Sequence, residues 1–206
     1  MPISLAIALN RTVMASTQAI AAVSRALLGL IEQHCPRDLL LSPKFELYTT
    51  AQLDKPIAEG VSLCLYRVAL NGLGRNLPPR RADDGSLCRP SLPVDLHFLI
   101  TPWAADGERQ QRLLGWLLRF LEDVSVLSAG VLNSYMPEPG IFADDEVAEI
   151  VLDSLPLADY LGLWDKFKPQ WQTSLTYVVR MVELDSRLTV DEAERVQTRD
   201  FGFGIR

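Results

Sequence analysis

The chain predicts an α/β (α+β) fold, a single domain with a mixed β-sheet and helices packed on it, and three observations lead there. Two stretches, 61–70 and 94–101, have strand character and flank a long polar connection, 71–93. Around them, segments of helical spacing alternate with segments of strand spacing, in the order helix, strands, helix, strand, helix, strand. The chain has 206 residues, 48% of them hydrophobic and 22% charged, which suits one ordinary core and argues against global disorder.

Residues 3–9 are apolar, but no Lys or Arg precedes them and Arg11 closes the run, so they make a poor secretory signal. An arm lying on a neighbouring surface is the better reading of 1–16. No run approaches the ~18 apolar residues of a membrane span. From 17 to 33, Ile20, Val23, Leu27, Leu30 and Ile31 follow the three-four spacing of an amphipathic helix, with Ser16 or Thr17 to cap it and Pro36 to end it. Residues 45–48 predict a short strand and 54–60 a turn. In 94–101, Val94, Leu96, Phe98 and Ile100 share one face and Asp95, His97 and Thr101 the other, the period of a half-buried strand. The 61–70 strand is apolar on both faces, which places it centrally in a covered sheet or against another subunit.

Asp106 caps a predicted helix over 108–123 with Leu113, Leu114, Leu117, Leu118, Leu121 and Val124 inward. Trp116 and Phe120 widen that face and predict cover on more than one side. Residues 124–136 are apolar but irregular until Pro137, Pro139 and Gly140 break them. A strand follows over 146–152. Pro156 then opens a helix whose Leu157, Tyr160, Leu161, Trp164 and Phe167 share a face, and Pro169 stops it. The last strand, 174–184, is apolar on both faces and so central. The expected division is an arm (1–16), a domain (17–186) and a polar tail (187–206) that turns aromatic at Phe201 and Phe203.

The net charge of −6 argues against a nucleic-acid binder, because phosphate binding needs a basic surface. The charge is uneven. The 71–93 connection carries Arg75, Arg80, Arg81 and Arg89, while Glu138, Asp144, Asp145, Glu146, Glu149, Asp153, Asp159 and Asp165 lie in the second half. Basic and acidic regions of this kind suit contact across a subunit boundary, although a solvated face explains most acidic runs. A connection of such length is far beyond the usual 2–5 residues of a hairpin loop, and on a stiff hairpin it reads as a contact arm.

Chemical motifs are weak. Asn71-Gly72-Leu73-Gly74 follows a strand, but Pro78 and Pro79 replace the helix that a nucleotide loop requires. Cys35, Cys64 and Cys88 form no CxxC pair and read as reduced thiols. No paired zinc spacing or calcium loop is present, so neither metal nor cofactor is expected. His34 sits at a helix end, where the dipole favours a cation. His97 shares a face with Asp95, and Cys64 lies on the adjoining strand, which leaves a Cys/His hydrolase as the enzymatic alternative. A buried cysteine acting as a small apolar residue is commoner.

The order Leu63-x-Leu65-Tyr66-x-Val68, Asn71, Arg75-Asn76, Arg89-Pro90 and the run from Leu92 to Trp103 resembles one family, the cap or tube-terminator proteins of contractile injection systems. Leu113-Leu114-Gly115, Leu163-Trp164 and the strand with Tyr177, Val179 and Arg180 fit the same family, and the likeness spans about 17 to 185. The resemblance implies a phage tail-terminator-like fold and a non-enzymatic structural role. Such proteins form a homo-hexameric ring that closes the distal end of the inner tube and sheath and ends polymerisation. It implies assembly in the cytoplasm into a phage-tail-like particle, with no nucleic-acid partner and no direct insertion into a membrane. A tail-completion protein of an ordinary phage is the neighbouring alternative. On this reading the contact residues are Arg75, Asn76, Arg80, Arg81, Arg89, Phe201 and Phe203.

Overall fold

Alternation along one strand, β5 (Leu92–Trp103), sets the layers: Val94, Leu96, Phe98 and Ile100 enter the larger core, while Asp95, His97, Leu99 and Thr101 project from the opposite face. The computed structural model describes residues 15–53, 55–72, 78–81, 85–138, 140–167, 171–186 and 188–190. Beside β5 run β2 (Gly60–Leu70) and β8 (Leu175–Leu184), both antiparallel to it. β1 (Lys44–Tyr48) joins β2 in parallel, and β7 (Val147–Leu152) and β6 (Val126–Ser128) extend the other side. The strand order is β1-β2-β5-β8-β7-β6, a mixed sheet as predicted.

β8 is central, as two apolar faces require. β2 is covered along part of its length, with its far half left open to the alternative of another subunit. Residues 61–64 are buried, but Val68 is 47% and Leu70 59% exposed, so the far half of the strand runs past the layers that cover the near half.

One face of the sheet is covered by α1 (Ala15–His34), α2 (Gly107–Asp123) and α3 (Ala129–Ser134). Val23, Leu27 and Ile31 of α1 and Leu113, Leu117 and Leu121 of α2 are buried against Leu63, Phe98, Tyr177 and Val179. Each such side chain contributes about 1.5–3 kcal/mol when removed from water. Asp106 caps α2 by accepting from the Arg109 amide at 2.9 Å. Trp116 stacks on Phe120 at 5.1 Å, and Phe120 meets His34 at 5.3 Å, so the C-terminus of α1 covers the second side of α2. The irregular 124–136 stretch becomes β6 and α3, elements too short for a period to show.

Two glycines are required by geometry. Gly60 has φ +136°, and a Cβ there would lie 1.8 Å from the Lys44 carbonyl oxygen where β1 joins β2. A Cβ on Gly29 would meet the Tyr135 ring at 2.3 Å, so α1 and the end of α3 approach closely only because the side chain is absent.

On the opposite face α4 (Leu157–Phe167) places Trp164 with Tyr48, Leu53, Cys64 and Leu99 in a smaller core. Tyr160 anchors the same helix by accepting from the Ser174 amide at 2.8 Å. The shared apolar face is only partly inward, since Leu157 is 71% and Leu161 41% exposed. A helix seated on one small cluster leaves the rest of its apolar face in water. No described helix is long and apolar enough to cross a membrane.

Candidate partner interface

Part of the 71–93 connection folds into a second, smaller sheet. β3 (Arg80–Arg81) pairs antiparallel with β4 (Leu87–Cys88), forming a hairpin that extends from the β2–β5 pair. The chain after β8 returns and lies along it. Thr189 bridges Cys88, the Arg89 amide donates to the Leu188 carbonyl at 2.8 Å, and the Val190 amide donates to Leu87 at 2.6 Å.

The root of this arm is fixed by Asp95. Opposite it β8 bulges, because Val94 pairs with Val182 while Leu96 pairs with Val179. The extra residue brings Met181 to φ 61°, a left-handed conformation that is costly without glycine. Asp95 Oδ1 accepts the Met181 amide at 3.2 Å, and Asn71 Nδ2 donates to the two carboxylate oxygens at 2.9 and 3.3 Å. One carboxylate thus satisfies the bulge and ties the first residue of the arm to the sheet.

The predicted contact residues divide in two groups. Arg75, Asn76, Phe201 and Phe203 lie outside the described residues. Arg80, Arg81 and Arg89 are gathered on the hairpin and its flank. Arg81 and Arg89 are exposed, with Arg81 donating to the Gly85 carbonyl at 3.2 Å. Arg80 is half-buried and engaged within the chain, donating to Asp185 Oδ2 at 2.7 Å and lying 3.6 Å from Glu146 Oε1. Burial works against its charge, and the carboxylates of Asp185, Glu146 and Glu183 together more than offset that. Asp185 also accepts from Ser91 Oγ at 2.8 Å.

Glu146, Glu183 and Asp185 have carboxylate oxygens within 4.8 Å of one another. Glu146 and Glu183, with Arg80, border a cleft of about 420 Å³ between Phe142, Val147 and Met181. Burial pushes the Glu146 carboxyl above its usual range, although the Ala143 amide donates to it at 2.8 Å. Basic and acidic regions therefore meet inside one chain. Asp185 and the bridging 188–190 segment are the parts that sequence reasoning missed. Arg80 and Asp185 are 105 residues apart, and no local spacing encodes their contact.

The enzymatic alternative finds little geometry. His97 Nδ1 donates to Asp153 Oδ2 at 2.9 Å, so its carboxylate partner is Asp153 and not Asp95. Tyr66 Oη reaches the same oxygen at 3.5 Å, and its ring lies 5.9 Å from the imidazole. Burial, then Asp153, push the Tyr66 hydroxyl up to about 12. Cys64 pairs with Leu99 in the small core, and burial pushes its thiol up to about 11, opposite to the shift that activates a nucleophile.

Comparison with known proteins bears on the whole domain. No curated protein sequence matches the chain. Among solved structures, it is similar to the sheath/tube terminator of PVC, an extracellular contractile injection system, in the extended state. That match has a TM-score of 0.58 at 18% identity, over 91% of this chain and 64% of that one. It is similar in the same way to the anti-feeding prophage cap, a tube-terminating cap, with a TM-score of 0.58 at 16% identity over 88% of this chain and 60% of that one. The likeness is one of fold, and the chain spans less than two-thirds of the length of either terminator. The sequence profile described as the Pvc16 N-terminal domain matches residues 22–198, and the chain belongs to that family.

Proposed function

We propose that this chain closes the distal end of the inner tube and sheath of a phage-tail-like contractile injection particle and ends its growth. The observation that carries the reading is membership of the Pvc16 N-terminal domain family, with a terminator fold over nine-tenths of the chain, 91% for the PVC protein. The physical logic is that of any polymer end. A tube grows because each ring presents the surface that the next ring recognises. A terminator must bind that surface and offer no copy of it.

A closed ring of six copies, joined head to tail, meets that need, since the rotation of a heterologous interface must close for growth to stop. Six weak contacts acting together then hold tightly. The basic arm, through Arg75, Asn76, Arg81 and Arg89 with Arg80 at its base, is the surface offered to the ring below, and Phe201 and Phe203 serve as an interface tag. No bond is made or broken in this work, which is a non-enzymatic role. The site of assembly on this reading is the cytoplasm, before the particle is released.

The test replaces Arg75, Arg81 and Arg89 together with glutamate and leaves Arg80 to its contacts within the fold. Electron microscopy of particles from cells making only this variant should show uncapped ends and irregular length. A second strain lacking residues 201–205 should lose the same property. Particles of normal length with occupied ends in the triple variant would refute the arm, and in a strain lacking the whole chain they would refute capping itself.

A further inference from the structure

The arm and the segment after β8 hold each other. Arg80 and Ser91, at the two sides of the arm, both end on Asp185, one residue beyond β8, at 2.7 and 2.8 Å. Three residues further on, the backbone of 188–190 pairs with β4 through Arg89–Leu188 and Val190–Leu87. β3 and β4 contribute only two residues each, and so short a hairpin has little stability alone. The returning segment adds a β-bridge and two backbone hydrogen bonds to it, and Asp185 pins that segment to the guanidinium.

We propose that Asp185 and the 188–190 segment act as a strap on the arm, and that the two open and close as one unit with Asp185 as the latch. This deepens the capping reading and rests on it for its purpose. A partner that engages the chain beyond 190 would loosen the arm, and a partner that takes the arm would free the tail. By linkage the two contacts are then coupled reciprocally. The neighbours of the latch set its strength. Glu146 and Glu183 crowd Asp185 around Arg80, so surplus negative charge opposes closure.

The measurement is amide hydrogen exchange on the isolated full-length chain, which needs neither a ring nor a particle. Asp185→Asn keeps the shape and removes the charge. It should raise exchange about fivefold at the Arg89 and Val190 amides together, the range expected when a partly exposed charged hydrogen bond is lost. Glu146→Gln keeps an acceptor for the Ala143 amide and should slow exchange at both. A chain ending at residue 186 should lose the protection of Arg89 while β5 amides keep theirs, which guards against simple unfolding.

Exchange that rises at only one of the two sites in Asp185→Asn would overturn the proposal. So would an arm still protected in the truncated chain, or wild-type amides at both sites exchanging at the unprotected rate. If the strap behaves as described while particles are capped normally without this chain, the capping reading fails and the coupling stands.

Discussion

The sheet and the arm are built on different physics, and the contrast explains why one is robust and the other adjustable. Across the body, β5 and β8 are joined by ladder hydrogen bonds and by buried Phe98, Tyr177, Leu96 and Val179, all 0% exposed. Such a layer is stabilised by area removed from water and has no charge for salt to screen. At the arm the tie is an ion pair whose arginine side chain is 40% exposed, together with a few backbone bonds. An attraction of that kind contributes about 0–1 kcal/mol and weakens with ionic strength. Contact surfaces that must meet a partner are better made of the second material.

Three changes test the contrast, from the largest effect down. Phe98→Ala removes a side chain buried between α-helical and sheet layers and should cost about 3–5 kcal/mol in denaturant unfolding. Arm exchange relative to the body should be unaltered, and a loss below about 1 kcal/mol would mean the core is not where it is drawn.

Met181→Gly acts at the boundary between the two regions. It relieves a φ of 61° and should stabilise by about 1 kcal/mol, offset in part by the freedom of glycine in the unfolded chain. A loss of more than about 2 kcal/mol would show that the side chain matters more than the strain.

The smallest effect is that of pH. Burial raises the Glu146 carboxyl in the folded chain, so the stability it contributes is fully present below the ordinary glutamate range and is lost as pH rises through the raised value. Mild acidification should therefore tighten the latch, read as slower Arg89 and Val190 exchange after correction for the intrinsic pH dependence. Faster corrected exchange in that window would refute the assignment of this dependence to Glu146.

What was legible in the sequence follows the same divide. The alternation at Val94, Leu96, Phe98 and Ile100 and the cap at Asp106 are local signals, and the elements they predict are present. The arm was visible through its prolines, glycines and arginines. Its latch was not, because Asp185 and Glu146 meet Arg80 only after the sheet has folded. How far the apolar faces of β2 and α4 are covered was not legible for a related reason. Periodicity shows that a face is apolar and leaves open how far a neighbour extends over it. The partner of His97 was misassigned because Asp95 is nearer in sequence, while Asp153 reaches it from the far end of β7.

The position of β8 has a consequence for synthesis. β5 lies between β2, its close neighbour in sequence, and β8, whose pairing reaches from Ile100 to Leu175. Such distant pairing is slow to find because the loop entropy is lost before the contacts form. On the ribosome the apolar face of β5 must wait for residue 184 or so before its middle-sheet neighbour arrives. Asp185 emerges next, so the arm is fastened only once the domain that carries it is complete. A nascent chain is thus kept from presenting a fastened arm before the sheet beneath it has formed.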